Sequence, residues 1–341
     1  MRLPRSILCL LPLLAAAPVL AQPTETPVPS PVVPLSAPWN EGAADCAAQP
    51  QPPLEVHAYD AHTYILRENL CATAEAPFMY LMIGSAKALL IDTGDVADPA
   101  QMPLAQTVFK LLPGEGAYRM PLLVAHTHRH LDHRAGDPQF EHQPKVHVVP
   151  YDIDGMRQYF GFGQWPEGQA QIDLGDRIVD VIPAPGHNPT ELVFYDRGTT
   201  LLFSGDFLLP GRLLIEDSAA DLASARRVVA FVKDRPVAAV LGGHVEFDAQ
   251  GGIYLWNLQH HPREHPLPLG KDDLLGMPDA LSRFNGFFTS SGPYMMMNQT
   301  RVLAALASTV LLVVLIAAFL LVRWVRRRWR AWRQRRKAAS A

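Results

Sequence analysis

The chain has 341 residues, with 30 Lys and Arg against 33 Asp and Glu and a formal net charge of −3. That length exceeds one typical domain. Eleven of the basic residues sit at the ends, nine after Val322 and two before Ser6, leaving 19 against 33 acidic residues between, a net of −14. A body of that charge repels polyphosphate backbones, so nucleic acid is not an expected partner.

In chain order, Met1-Arg2-Leu3-Pro4-Arg5 is a basic start, residues 6–20 are apolar, and Val19-Leu20-Ala21 is a small-residue cleavage site. Residues 1–21 are expected to be a secretory signal peptide. The alternative, an uncleaved anchor, fits less well because the stretch is short and holds Pro12 and Pro18. Residues 22–53, rich in Pro, Ala, Thr and Ser without hydrophobic periodicity, read as an extended linker. Cys9 leaves with the signal peptide, so Cys46 and Cys71 remain, an even pair in an oxidising compartment. A Cys46–Cys71 disulfide is the expectation, with free buried thiols as the alternative.

Strand patterns follow at 55–60, 63–67, 78–83 and 87–92, then a helix over 99–112 and a strand ending at His126. A short helix over 136–142 precedes a strand at 145–150. Strand character returns at 177–182, 191–195 and 200–203. A helix over 219–233 carries Leu222, Val228, Val229 and Val232 on one face, and a strand at 237–241 is the last. Strands in runs punctuated by helices suit an α/β fold of two sheets covered by helices. Residues 251–300 read as a C-terminal extension and juxtamembrane segment. Val302 to Val322 is an uncharged apolar run, about 31 Å long as a helix and sufficient for one transmembrane helix. The basic tail, 323–341, interleaves arginines with Trp324, Trp329 and Trp332, which suits the cytoplasmic membrane surface. The expected topology is a single-pass membrane protein with an extracytoplasmic domain (periplasmic in a bacterium).

The segment Thr127-His128-Arg129-His130-Leu131-Asp132-His133 gathers three histidines and an aspartate directly after an apolar strand. Clustered imidazoles repel when protonated and bury poorly without partners, and a bound metal resolves both problems. A plain set of surface histidines is the competing reading. The H-x-H-x-D-H spacing resembles the metallo-β-lactamase superfamily of binuclear zinc hydrolases. So do Asp92-Thr93-Gly94, Pro185-Gly186-His187, Ser204-Gly205-Asp206 and Gly242-Gly243-His244, which appear in the family's order across residues 54–250.

The resemblance implies an αββα sandwich and two zinc ions, with iron or manganese as other metals for such a donor set. It implies His128, His130 and His187 on one ion, Asp132, His133 and His244 on the other, and Asp206 bridging. A hydroxide shared by the two ions would attack the substrate, with Asp132 orienting it or taking its proton. Asp92 reads as a residue that orients a ligand histidine, or as a simple turn residue. His126 falls outside the frame set by Asp132 and His133. Aspartate at 206 is similar to the broader hydrolases, so the expected small-molecule substrate is an ester, thioester, lactone or amide. A phosphodiester, or a non-catalytic sensor role, is the alternative. Tyr159 to Pro166, with Phe160, Phe162 and Trp165, reads either as an apolar substrate loop or as a corner packed on the core. The His260–His265 run reads as a surface loop rather than a further metal site.

Overall fold

Alternation within single strands builds the layers. The computed structural model describes residues 32–339; the expected signal peptide, 1–21, and residues 22–31 lie outside the described residues. The first sheet holds β1 (Leu54–Asp60), β2 (Thr63–Glu68), β3 (Phe78–Ile83), β4 (Ala88–Ile91), β5 (Leu122–Ala125) and β6 (Val146–Val148), in that spatial order. In β3, Phe78, Tyr80 and Met82 enter the central core, while Met79, Leu81 and Ile83 face an outer one with α1 (Leu104–Leu111). Both faces are buried, so the strand reads as a continuous apolar run.

After α2 (Ile153–Phe160) come β7 (Ala170–Asp173), β8 (Ile178–Pro183), β9 (Leu192–Asp196) and β10 (Leu201–Gly205). β11 (Arg212–Leu214), α3 (Ser218–Val232), β12 (Ala239–Gly242) and β13 (Pro268–Leu269) follow. The second sheet runs β13-β12-β10-β9-β8-β7. Leu192, Phe194, Leu201, Phe203 and Leu241 meet the first sheet in the central core. The intervening Val193, Tyr195, Leu202 and Val240 face α3 and α4 (Lys271–Ser282). Helix, sheet, sheet, helix is the αββα sandwich expected from the sequence. The Tyr80 hydroxyl donates to the Gly242 carbonyl at 2.6 Å, tying the sheets together beside the site.

Several elements depart from the sequence reading. α1 begins at Leu104 rather than 99, because Pro103 occupies its N-cap and the residues before it form a turn capped by Asp98. Residues 32–53, expected to be a linker, pack on the body: Trp39 is buried and stacks on His57 at 3.7 Å. The Cys46–Cys71 disulfide, by contrast, is present as expected, with Cα atoms 5.5 Å apart. The extension after 250 is built into the domain. β13 pairs with β12, α4 packs on α3, and the hairpin of β14 (Phe288–Ser291) and β15 (Tyr294–Met297) pairs in parallel with β11. His261, expected on a surface loop, is buried instead: it stacks on Tyr254 and bonds Glu264, which in turn holds Arg67 through two hydrogen bonds. α5 (Gln299–Ala339) follows, its most apolar stretch reaching a mean hydropathy of 2.9, long and apolar enough to cross a membrane.

Candidate metal centre and cleft

The site residues follow the C-terminal ends of strands: Asp92 follows β4, His128 to His133 follow β5, His187 follows β8, Asp206 follows β10 and His244 follows β12. A rigid sheet edge thereby collects groups far apart in sequence. Two donor clusters form. In one, His130 Nδ1 lies 2.9 Å from His128 Nε2 and 3.1 Å from His187 Nε2. In the other, His244 Nε2 lies 3.2 Å from His133 Nε2 and 3.3 Å from Asp132 Oδ2. Asp206 stands between them. Its Oδ2 is 3.6 Å from His187 Nε2, and its Oδ1 is 3.5 Å from His133 Nε2 and 3.7 Å from His244 Nε2.

The outward ring nitrogens are committed elsewhere. His133 Nδ1 is 2.9 Å from Asp92 Oδ2, His187 Nδ1 is 3.1 Å from the Leu214 carbonyl, and His244 Nδ1 is 2.8 Å from the Glu75 carbonyl. An imidazole that donates from its outer nitrogen presents a lone pair at the inner one, as a metal ligand must. These tautomers are assigned from the hydrogen-bond pattern.

Electrostatics and space fit cations at both clusters. Burial, then the neighbouring imidazoles, lower the His128 and His130 pKa values, so those two rings favour the neutral form. At the other cluster burial opposes charge on His244, but Asp206 and Asp132 push its pKa up to about 10. Positive charge is thus preferred there even with protons as its carrier. Asp206 Oδ1 is buried without a hydrogen-bond partner. A Cβ on Gly243 would sit 2.6 Å from that oxygen and 2.7 Å from His133 Cε1, so only glycine leaves room. Gly205, at φ +52°, makes the turn that presents Asp206.

Asp92 is buried and accepts from Thr127 N at 2.7 Å and Thr127 Oγ1 at 2.8 Å besides facing His133. His126 stands apart: its Nε2 is 2.8 Å from Asp137 Oδ1 and its ring meets Tyr151 edge-on. Sequence reading missed Glu191. This fully buried carboxylate lies 3.5 Å from His128 Nδ1 and accepts from Asp206 N at 3.3 Å. Its signal was an acid directly before the apolar run Leu192-Val193-Phe194-Tyr195.

The clusters floor a cleft of about 420 Å³ walled by Leu131, Leu209, Arg212, Leu214, Glu246 and Trp256. Arg212 is held by Glu246 and lies 3.5 Å beneath the Trp256 ring. Nothing local in the sequence marks these wall residues. Phe160, Phe162 and Trp165, offered as a substrate loop, do not line the cleft. Phe162 is buried in the central core, with Phe160 and Trp165 packed against it. The loop is a packed corner, because α2, capped by Asp152 and stopped by Gly161 at φ +74°, delivers those rings inward.

The chain matches one family model and is similar to several known proteins. The family described as the metallo-beta-lactamase superfamily matches residues 72–244. An acyl-coenzyme A thioesterase, MBLAC2, of Gallus gallus is 26% identical over 57% of this chain and 80% of its own length. A hydroxyacylglutathione hydrolase of Aeromonas hydrophila is 29% identical over 46% of this chain and 58% of its own. Among solved structures, a metallo-beta-lactamase from Pontibacter korlensis, 17% identical, aligns with a TM-score of 0.42 over 56% of this chain and 91% of that one. The chain belongs to the metallo-beta-lactamase superfamily, a family of hydrolases.

Proposed function

We propose that this chain is a hydrolase of acyl substrates working with two divalent metal ions, zinc first among them, and that acyl thioesters are its leading substrate class. The observation that carries the reading is Asp206, whose two oxygens face the two donor clusters. His128, His130 and His187 would hold one ion and Asp132, His133 and His244 the other, with Asp206 offering an oxygen to each. When bound, such a pair polarises the scissile carbonyl and acidifies the attacking water. Asp132, whose Oδ2 is turned to His244, would take the proton of the attacking water and pass it to the leaving group. Asp92 keeps the His133 inner nitrogen free, while Glu191 Oε2 stands 3.5 Å from His128 Nδ1 without a hydrogen bond. The cleft walls bind the acyl part through Leu131, Leu209, Leu214 and Trp256.

The thioester preference draws on relatives named for releasing acyl groups from coenzyme A and glutathione. A phosphodiester is less suited, since Arg212 is already neutralised by Glu246 and Glu75 and Asp95 also line the cleft. A sensor role has no need of all seven donors. We place the domain outside the cytoplasm, on the strength of the expected signal peptide, the Cys46–Cys71 bridge and the arginine-rich end of α5.

The test assays the zinc-reconstituted full chain in detergent against thioesters, esters, lactones, β-lactams and phosphodiesters, beside Asp206→Ala. Thioester turnover that the substitution and chelation both abolish is the expected result. Turnover untouched by either would overturn the proposal.

A further inference from the structure

α5 joins the body through the wall of the cleft. β15, the last strand before it, runs parallel to β11, with Leu214 opposite Met297. Ile215 N donates to the Met297 carbonyl at 2.9 Å, and the buried Asn298 donates its side-chain amide to the Ile215 carbonyl at 2.8 Å. The same Asn298 side chain accepts from Arg301 N at 2.9 Å, so one residue fixes both the first turn of α5 and the end of β11. β11 lends Arg212 and Leu214 to the cleft, and the Leu214 carbonyl faces the His187 ring nitrogen. The uncharged run begins at Val302, whose N–H bonds the Asn298 carbonyl, about 6 Å of helix rise beyond Asn298. The metal-side end of β11 therefore lies close to the plane at which the apolar helix begins.

Beside that plane sit two exposed rings. Phe287 is 48% and Phe288 47% exposed. The Phe287 carbonyl accepts from Asn298 N at 3.1 Å, and Phe288 pairs with Met297 across the hairpin, so both adjoin the start of α5. Adjacent phenylalanines at the mouth of a membrane span suit the lipid interface far better than water. The cleft itself carries an apolar rim: Leu131 is 60% and Trp256 46% exposed, and Leu255 beside Trp256 is 76% exposed.

We infer that the β14–β15 hairpin docks on the bilayer through Phe287 and Phe288, holding the cleft at the membrane surface, and that the substrate is a long-chain acyl amphiphile drawn from the bilayer. The docking rests on the geometry of the hairpin and on α5 as the membrane span; the substrate class rests in addition on the acyl-hydrolase reading above.

The full chain in phosphatidylcholine vesicles tests both parts. An environment-sensitive fluorophore is attached at Phe287→Cys, at Phe288→Cys, and at Tyr118→Cys, an 88% exposed position on the turn before β5, away from the strand ends that carry the site. Brominated lipids should quench the label at either phenylalanine position and leave the one at 118 bright. Labels equally quenched at all three, or at none, would overturn the docking. The second measurement compares a vesicle-partitioned long-chain acyl thioester with a water-soluble short-chain one. Phe287→Ser combined with Phe288→Ser should lower turnover of the first about tenfold, the contribution of two half-buried rings, and leave the second unchanged. Equal turnover of the long-chain substrate in both proteins, or equal loss on both substrates, would overturn the substrate class. Failure of the unsubstituted chain to cleave either thioester would refute the acyl-hydrolase reading instead, with the quenching still deciding the docking.

Discussion

Asp92→Asn should weaken one metal ion and spare the other. The Asp92 backbone lies at φ +65°, a conformation asparagine tolerates well, so the fold is retained. The carboxylate serves Thr127 N, Thr127 Oγ1 and His133 Nδ1 within 2.9 Å. Thr127 N is a fixed donor and keeps the one remaining oxygen. The new amide N–H₂ then faces His133 Nδ1, which must give up its proton to accept. The proton moves to Nε2, the nitrogen turned toward Asp206 and His244. Keeping the original tautomer instead sets N–H against N–H in a buried site, at about 1–3 kcal/mol. Either route costs the Asp132–His133–His244 ion roughly 10–100-fold in affinity, as loss of an orienting carboxylate commonly does. The assay is competitive zinc titration of the full chain with a chromophoric chelator. Two ions weakened alike, or neither weakened, would refute the tautomer argument.

Asp206→Ala should cut metal content and turnover more than Asp92→Ala, because it takes a donor from both clusters; elemental analysis with turnover on the same preparations checks the order. His126→Ala should retain the metals, since its ring is bonded to Asp137; if that variant empties the site while His130→Ala leaves it filled, the ligand register is wrong. Glu68, buried and near Asp95 and Asp132, is pushed up to about 8 chiefly by burial. Its folded pKa lies above the unfolded value, so its contribution to stability is complete below about pH 4.5 and lost as pH rises through about 8. Glu68→Gln should therefore raise the melting temperature of the metal-free chain at pH 8 more than at pH 5, and an equal shift at both would contradict this.

The parts legible in the sequence share a cause. The seven candidate donors sit within short motifs of fixed spacing, and the central strands alternate between two apolar cores. What escaped was decided at long range. Trp39 looks like part of a proline-rich linker until His57 offers it a stacking partner. α4 was hidden by Gly276 and Pro278 in its own interior, and packing on α3 outweighs both. Arg212 and Trp256, 44 positions apart, meet only because the extension after 250 folds back over β11. The aromatic corner at 160–165 had a readable cue in Asp152 and Gly161, which cap α2 at its two ends and turn the rings inward.

The central claim is that one carboxylate, Asp206, unites two metal sites into one hydrolytic centre. The most direct measurement is zinc content against thioester turnover as the stripped full chain is titrated with metal. The account predicts about two ions per chain and turnover that rises with occupancy of the second. Less than one ion after reconstitution, or full turnover in the stripped chain, would contradict it.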